Sequence, residues 1–291
     1  MTKLIFGGDS RLAKAMLENH QNGDPNLLLT TRRPIILNSG KIYCCFSELE
    51  KFVVPEDIKS AAIVGGPVSY SECSDNYDVS FHINCIAIPS LVLRLLSAGI
   101  FVTFLSSNRV FNYKEPMTEY GVPNPSFPYS IMKAKAEEII QNTAQKYGYQ
   151  DRLAILRLTK NVNFETAPFQ IWAELIRQKK EIPAFHDLFF SPILFKHSAK
   201  LLKQIMENEI PGIFHLSGEK DLNYYEFACG LINYLGLPFN NVKSIKSSDS
   251  GVTLLDNYPV TSLKMARTTQ IFNISPVSVD EIYFYLRSNI Y

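Results

Sequence analysis

A tyrosine and a lysine four positions apart, Tyr129 and Lys133, have the clearest chemical use in this sequence. Residues four apart lie on one face of a helix, and Pro128 followed by the helix formers at 134–137 predicts a helix here. A phenol titrates near ~10, too high for acid or base work at neutral pH, and a neighbouring cation lowers that pKa. We therefore predict that Tyr129 transfers a proton and that Lys133 lowers its pKa. Taken alone, the same spacing also arises by chance on helices.

Two serines, Ser106 and Ser107, precede this helix and end an apolar run at 101–105 that predicts a strand. A hydroxyl at the tip of a strand beside Tyr129 is suited to hold the oxygen of a substrate. Serine, tyrosine and lysine in this order therefore predict a site that aligns a substrate oxygen and exchanges a proton with it.

The N-terminal residues join a strand, a turn and a helix in the order that a dinucleotide-binding fold requires. Residues 3–6 form a short apolar run, Gly7 and Gly8 form a tight turn, and residues 12–17 carry apolar side chains at helical spacing. A helix N-terminus presents unpaired N–H groups and a partial positive charge to a pyrophosphate. An ordinary strand-to-helix turn is the alternative interpretation.

The turn departs from the phosphate-binding spacing Gly-x-x-Gly-x-x-Gly, since its second position is Ser10 and its third is Ala13. Alanine is accepted at the third position, and a serine hydroxyl can donate to a phosphate oxygen in place of a close backbone approach. We interpret the segment as a degenerate but working pyrophosphate loop. Its predicted contact residues are Gly7, Gly8, Ser10, Arg11 and Leu12.

A second predicted strand, at 26–31, ends in Arg32 and Arg33. At the tip of the second strand of a doubly wound sheet, an acidic residue selects NAD, whereas an arginine accommodates the 2′-phosphate of NADP. The position of these arginines predicts NADP as the cofactor, with NADPH preferred over NADH. Two solvated loop charges are the alternative.

Further strands are predicted at 61–64 and 101–107, with a helix at about 77–98 between them that Pro89 bends. Alternating strands and helices predict an α/β fold, a Rossmann-type doubly wound parallel sheet, whose ligands bind at the carboxyl ends of the strands. The residues predicted to meet the cofactor at these ends are Gly65, Gly66, Pro67 and Ser106.

Composition excludes several other classes of partner. The chain has 291 residues, 20% of them charged, and a formal net charge of +1, so neither nucleic acid nor an acidic membrane surface is an expected partner. We find no secretory signal and no run of about 18 apolar residues, and we expect a cytoplasmic protein. Five cysteines without paired spacing predict reduced thiols and no metal site.

The glycine turn, the serine and the Tyr-x-x-x-Lys pair together resemble the extended short-chain dehydrogenase/reductase family. The resemblance implies that Ser107 is the catalytic serine, Tyr129 the acid and Lys133 its partner, which also holds the nicotinamide ribose. It further implies that Asn84, in the segment HINCIA, supports a proton relay.

Three C-terminal segments, at 187–192, 212–218 and 259–263, resemble successive landmarks of the dTDP-4-dehydrorhamnose reductase family. The resemblance implies an NADPH-dependent reductase that acts on the C4 keto group of a nucleotide-linked 4-keto-6-deoxy sugar. It implies a NAD(P)-binding domain at 1–160 and a smaller substrate-binding region at 161–291, with some interleaving of the chain. Homodimers are common in the family, and His215 is interpreted as a core residue.

Two other classes remain open. An epimerase or dehydratase of the same superfamily would use the cofactor transiently, and a regulatory subunit of methionine adenosyltransferase is a related protein that binds without catalysis. The family's adenine-contacting aspartate has no match at 41–50, and Phe190 and Tyr258 replace residues on the nucleotide-sugar side. An aromatic surface near Arg177 and Lys179 is predicted to receive the base. Its residues are Trp172, Phe185, Phe189 and Phe190. Burial of these rings in the core is the alternative interpretation.

Overall fold

The computed structural model describes residues 2–18, 26–33, 41–67, 69–238, 241–250 and 260–290. The chain divides into two compact units, and it passes between them more than once. The first comprises Met1–Phe111, Val122–Arg157 and Lys196–Phe214, and the second comprises Asn112–Gly121, Leu158–Phe195 and His215–Tyr291.

A seven-stranded parallel sheet forms the centre of the first unit. Its strands are β1 (Thr2–Phe6), β2 (Leu27–Thr31), β3 (Lys41–Tyr43), β4 (Ile58–Ile63), β5 (Phe101–Ser107), β6 (Leu153–Leu158) and β11 (Gly212–Leu216). Their order in the sheet is β11-β6-β5-β4-β1-β2-β3. Because β1 and β4 are central, their apolar residues are buried on both faces, as in parallel sheets covered by helices. The predicted Rossmann-type fold is confirmed.

Ten α-helices connect or cover the strands in the described part of the chain. They are α1 (Arg11–Glu18), α2 (Tyr70–Asp75), α3 (Tyr77–Phe81), α4 (Ile88–Ser97), α5 (Pro128–Tyr147), α6 (Phe169–Arg177), α7 (Phe195–Asn208), α8 (Tyr224–Tyr234), α9 (Ala266–Phe272) and α10 (Val279–Ile290). The long helix α5 ends at Gly148, whose left-handed backbone makes a C-cap.

The helix predicted at 77–98 is interrupted by a π-helical turn, His82–Ala87, between α3 and α4. The predicted bend at Pro89 therefore takes the form of a widened turn directly before the proline, which lacks the N–H donor for a regular bond. Asn84 lies within this turn. Such turns occur often at functional sites.

One helical stretch, Tyr77–Ser97, is long and apolar enough to cross a membrane, which corrects the expectation that no segment reaches this length. It is the single such stretch in the residues that the structure describes. More than half of its apolar window, 56%, is buried inside the fold, as expected for a core helix.

The second unit contains three two-stranded sheets in its described residues. Its strands are β7 (Lys160–Val162), β8 (Ile182–Phe185), β9 (Phe189–Phe190), β10 (Pro192–Leu194), β12 (Leu222–Asn223) and β13 (Val242–Ile245). Strand β7 pairs with β10, β8 with β13 and β9 with β12. An aromatic core packs among them, with rings of Phe169, Trp172, Phe190, Tyr224 and Phe227 in mutual contact.

A buried ion pair fixes α5 to β6. The guanidinium of Arg157 donates to both carboxylate oxygens of Glu137, with the shortest distance, from Nη2 to Oε2, at 2.6 Å. Both side chains are buried, with exposed fractions of 1% and 0%. The guanidinium also stacks over the ring of Phe111. The pair therefore sets the position of the helix that carries Tyr129 and Lys133.

We expect Glu137→Gln to lower the free energy of unfolding by about 3–5 kcal/mol, because it removes the carboxylate charge that faces the buried guanidinium of Arg157. The matched control is Lys135→Ala on the same helix, which removes an exposed partner of Glu138. That change should cost less than about 1 kcal/mol. Urea unfolding monitored by circular dichroism measures both, and equal losses would contradict the assignment.

Candidate active site

The structure brings Ser107 and Tyr129 together at the carboxyl end of β5. Ser107 is the last residue of the strand, and its Oγ accepts a bond of 3.1 Å from the backbone N–H of Arg109, which fixes the hydroxyl in place. Tyr129 is the second residue of α5, whose entry is shaped by Pro128. The Ser107 hydroxyl donates to Oδ1 of Asn108 at 3.3 Å and lies close enough to the phenol of Tyr129 to favour its ionised form.

The surroundings of Tyr129 are more apolar than the sequence predicts. The rings of Phe127 and Tyr70 lie beside it, with centroids 6.3 and 5.5 Å away. Burial raises the pKa of Tyr129 above its usual range, and the Tyr70 phenol adds to this rise. The prediction that Lys133 lowers this pKa is wrong, because burial dominates and the cation that opposes it is Arg109 rather than Lys133.

Lys133 lies one turn further along α5 and is buried, with 4% of its surface exposed. Its Nζ donates to the backbone carbonyl of Leu105 at 3.2 Å and lies 4.9 Å from the centre of the Phe104 ring. Burial lowers the pKa of Lys133 to about 8, although the Glu137 carboxylate opposes this shift. The ammonium is thus held against β5.

Asn84 supplies an unpaired acceptor near these groups. Its Nδ2 donates to the carbonyls of Ser80 and Pro67 at 3.1 and 3.2 Å, which fixes the amide. Its buried Oδ1 has no partner among the described residues, and a Cβ built on Gly66 would lie 3.5 Å from it. The buried Oγ of Ser106 is likewise unpaired within the described residues. Buried polar atoms of this kind are suited to bind a water molecule or a ligand.

Two glycines bring the first and fourth strand ends into direct backbone contact. Gly7 has a φ of +91°, and a Cβ on it would lie 2.7 Å from the Cα of Gly65. A Cβ on Gly8 would lie 2.6 Å from the carbonyl oxygen of Thr30. Beyond this contact, the ring of Phe46 occupies the space that a Cβ on Gly65 would need. The loop therefore requires glycine where the sequence has it.

Ser10 replaces the second glycine of the pattern and caps helix α1. Its Oγ accepts a bond of 3.2 Å from the backbone N–H of Ala13. The proton of the hydroxyl is then available to a phosphate oxygen at the helix N-terminus. Arg11 is exposed at the first position of this helix, whereas the Leu12 side chain packs in the core, so only its backbone could meet a ligand.

A cavity of about 470 Å³ opens above these strand ends. Its lining includes six of the residues predicted to bind the cofactor, namely Gly7, Ser10, Arg32, Gly65, Gly66 and Pro67. Five others lie outside the lining, namely Gly8, Arg11, Leu12, Arg33 and Ser106. Ser107, Tyr129 and Lys133 are also outside it, and Ile83 and Pro67 lie on the side towards Asn84.

Sequence reasoning missed a group of cavity residues from the ends of β2 and β3 and from the glycine loop. They are Asp9, Thr30, Thr31, Cys44, Cys45, Phe46 and Ser47. The rule that ligands bind at the carboxyl ends of parallel strands points to the residues after β3, where only an aspartate was sought. Asp9 stands in the glycine loop itself.

These residues fit a nicotinamide dinucleotide. The approach of Gly7 to Gly65 forms a cradle that any side chain would fill, and the capped N-terminus of α1 faces it. Oγ of Ser106 and Oδ1 of Asn84 are buried polar atoms without a partner among the described residues, and both are suited to bind a polar ligand atom. Arg32, Ser106 and Lys133 would hold such a cofactor, together with the loop.

The C-terminal landmarks have structural roles in the second unit. His215 is buried, with its Nδ1 2.9 Å from the carbonyl oxygen of Lys264, which agrees with its interpretation as a core residue. Asp221 accepts bonds from the backbone and hydroxyl of both Thr261 and Ser262. Pro259 and Tyr258 lie outside the described residues.

The aromatic surface predicted for the base is corrected in part. Trp172 and Phe190 are buried, with 1% and 3% exposed, in the aromatic core of the second unit. The indole N–H of Trp172 donates to the carbonyl of Pro183. These two rings are therefore not available to a ligand, whereas Phe185 and Phe189 are half-buried.

The doubly wound sheet with serine, tyrosine and lysine at the end of β5 defines an extended short-chain dehydrogenase/reductase. A model of the RmlD substrate binding domain family matches residues 1–279, and the chain belongs to this family. The predicted resemblance to dTDP-4-dehydrorhamnose reductases is thereby confirmed.

Two relatives differ in how much of the chain they match. The chain is 25% identical over 242 residues to the spore coat polysaccharide biosynthesis protein SpsK of Bacillus subtilis, and the match covers 81% of each protein. It is 24% identical over 177 residues to methionine adenosyltransferase 2 subunit beta of Xenopus tropicalis, which covers 59% of this chain. That match spans about half of the subunit's length, 53%.

Solved structures share the fold along nearly the whole chain. A dTDP-4-dehydrorhamnose reductase from Clostridium acetobutylicum has a TM-score of 0.78 at 17% identity, with 99% of each chain covered. The reductase from Bacillus anthracis, in complex with NADP, has a TM-score of 0.76 at 14% identity, again with 99% of each chain covered. At these identities the likeness establishes the fold.

We expect Gly7→Ala to weaken NADPH binding by at least about tenfold, because the new Cβ collides with the backbone at Gly65 and displaces the loop. Gly148→Ala is the matched control, since Gly148 also has a positive φ, 72°, but nothing within 4 Å of its Cβ position. Calorimetry should show unchanged affinity for the control. Equal affinity in both variants would remove the loop from the binding site.

The lowered pKa of Lys133 predicts a pH-dependent stability. Between about pH 8 and 10.5 the unfolded chain holds the Lys133 proton while the native protein has released it, so the free energy of unfolding rises with pH. Relative to Lys133→Met, wild type should gain up to about 3 kcal/mol across this range. Urea unfolding of both proteins at several pH values tests this, and a constant difference would contradict it.

Proposed function

We propose that the protein is an NADPH-dependent reductase of the C4 keto group of a nucleotide-linked 4-keto-6-deoxy sugar. The observation that carries this proposal is the placement of Ser107 beside the phenol of Tyr129 at the end of β5, with Lys133 one turn away on α5. NADPH supplies the hydride when bound. The protein must therefore supply a proton, orientation and an environment for the forming hydroxyl.

Tyr129 provides the proton. Its raised pKa keeps the phenol protonated at neutral pH, so that it can donate to an oxygen on which negative charge develops. The Ser107 hydroxyl, which lies beside the phenol and accepts from the N–H of Arg109, aligns the same oxygen. The two hydroxyls together form the donor site for the carbonyl.

Lys133 and Asn84 support this pair. An ammonium has three N–H donors, and the bond to Leu105 uses one, so the others can hold ribose hydroxyls. The unpaired Oδ1 of Asn84 can accept from a relay water that returns a proton towards Tyr129.

The preference for NADPH rests on the positive charge at the tip of β2. Arg32 lines the cavity and Arg33 follows it, and an arginine suits bidentate binding of a phosphate. Relatives of the same fold have been solved with NADP and, for a dTDP-glucose 4,6-dehydratase from Bacillus anthracis, with NAD. Those complexes support a nicotinamide nucleotide in general, and the arginines support NADPH in particular.

A non-catalytic function is the second candidate, because the similarity to methionine adenosyltransferase 2 subunit beta is comparable in identity to that of SpsK. A binding subunit would retain the cofactor cavity and need no proton donor. The geometry of Ser107, Tyr129 and Lys133 favours the reductase.

Incubating the purified protein with NADPH and a panel of dTDP-, GDP-, CDP- and UDP-linked 4-keto-6-deoxy sugars tests the proposal. A mass gain of two hydrogens with matching loss of NADPH absorbance supports the reductase. An isomer of constant mass would indicate an epimerase, and cofactor binding without conversion would favour the binding subunit.

Tyr129→Phe should keep NADPH affinity and lose turnover by about 10²- to 10⁴-fold, the usual contribution of one acid-base group. Tyr147→Phe is the matched control, because Tyr147 lies on the same helix and is 50% exposed. Full activity of Tyr129→Phe in the reductase assay would refute the role of the phenol.

A further inference from the structure

We propose that Lys41 makes the cofactor cavity selective for a 2′-phosphorylated adenosine by neutralising Asp9, a carboxylate that would otherwise favour an unphosphorylated ribose. This inference rests on the proposed NADPH preference. It explains how the cavity can prefer NADPH although the carboxylate of Asp9 lines it. It concerns Asp9 in the glycine loop, Thr31 at the end of β2 and Lys41 at the start of β3.

Both oxygens of the Asp9 carboxylate are engaged by neighbouring side chains. The Thr31 hydroxyl donates to Oδ2 at 2.6 Å, and the Lys41 ammonium lies 2.7 Å from Oδ1. Lys41 also donates to the carbonyl of Gly8 at 3.2 Å, which fixes the ammonium over the loop. The Thr31 hydroxyl in turn accepts from the backbone N–H of Arg33 at 3.1 Å. The carboxylate is thus tied to the tip of β2.

This position matters because an acid at the tip of β2 is the group that binds the ribose hydroxyls of NAD. Strand β2 itself is followed by two arginines, but the carboxylate of Asp9, in the glycine loop, lies at the tip of this strand. Although burial opposes ionisation, hydrogen bonds from Lys41 and Thr31 lower the pKa of Asp9, so it is charged at neutral pH. An unbalanced carboxylate here would repel a 2′-phosphate.

The salt bridge cancels the negative charge that Asp9 contributes to the cavity. The side chains of Asp9 and Lys41 are about three-quarters buried, with 25% and 26% exposed, so their attraction is only partly screened by solvent. With the pair intact, the positive charges of Arg32 and Arg33 are left to act on a ligand. Glu72 is the other acid in the cavity lining, and it belongs to α2.

The test compares adenosine 2′,5′-bisphosphate with AMP, two probes without nicotinamide, by calorimetry. Lys41→Met should lower the affinity for the bisphosphate by about tenfold and that for AMP by less than about twofold. Asp9→Asn alone should leave the bisphosphate bound at least as tightly as in wild type. The double variant Asp9→Asn/Lys41→Met should recover most of the affinity that Lys41→Met loses.

Lys51→Met is the control for loss of a lysine, since Lys51 is 70% exposed and pairs only with surface Glu48 in the salt bridges of the described chain. Thermal unfolding of each variant separates misfolding from selectivity. Equal losses for both probes in Lys41→Met, or a double variant no better than Lys41→Met, would overturn the proposal. Both probes lack nicotinamide and only bind, so their affinities do not depend on whether the protein reduces a sugar. A failed reductase assay would therefore leave this result unchanged.

Discussion

The buried ion pair between Arg157 and Glu137 is the constraint on which the positions of Tyr129 and Lys133 depend. Glu137 lies one turn beyond Lys133 on α5, and Arg157 lies on β6, the neighbour of β5. Because this ion pair fixes α5 to β6, the phenol of Tyr129 on α5 lies beside the Ser107 hydroxyl at the end of β5. The Glu137 carboxylate also partly offsets the desolvation of the Lys133 ammonium. One side chain of α5 therefore both holds the helix against β6 and stabilises the neighbouring charge.

A second constraint, the contact of Gly7 with Gly65, shapes the other half of the site. Parallel strands end at the same edge of a sheet, and glycine at both positions lets β1 and β4 end almost in contact. The space freed above them becomes the cavity. Its walls carry charge from Arg32, while Phe46 contributes an apolar face. Both constraints act on one sheet, so the cavity at the ends of β1 and β4 lies next to Ser107 at the end of β5.

Local features of the sequence were sufficient to predict much of this arrangement. Tyr129 and Lys133 share a helix, and alternating strands and helices predicted the sheet, which the structure confirms. The pKa of Tyr129 was not predictable, because its direction depends on burial and on the phenol of Tyr70, which the fold brings from α2. The pairing of Asp9 with Lys41 joins residues 32 positions apart, and no periodicity encodes it. Burial of Trp172 likewise required the packing of the second unit.

The central claim is that this site transfers hydride to a sugar carbon while Tyr129 protonates the adjacent oxygen. The most direct measurement uses NADPH deuterated at both C4 positions of the nicotinamide and a dTDP-linked 4-keto-6-deoxy sugar, with products analysed by mass spectrometry and NMR. We predict one deuterium per product molecule, located at C4 of the sugar. A sugar product without deuterium, or unchanged sugar in the presence of bound cofactor, would contradict the claim.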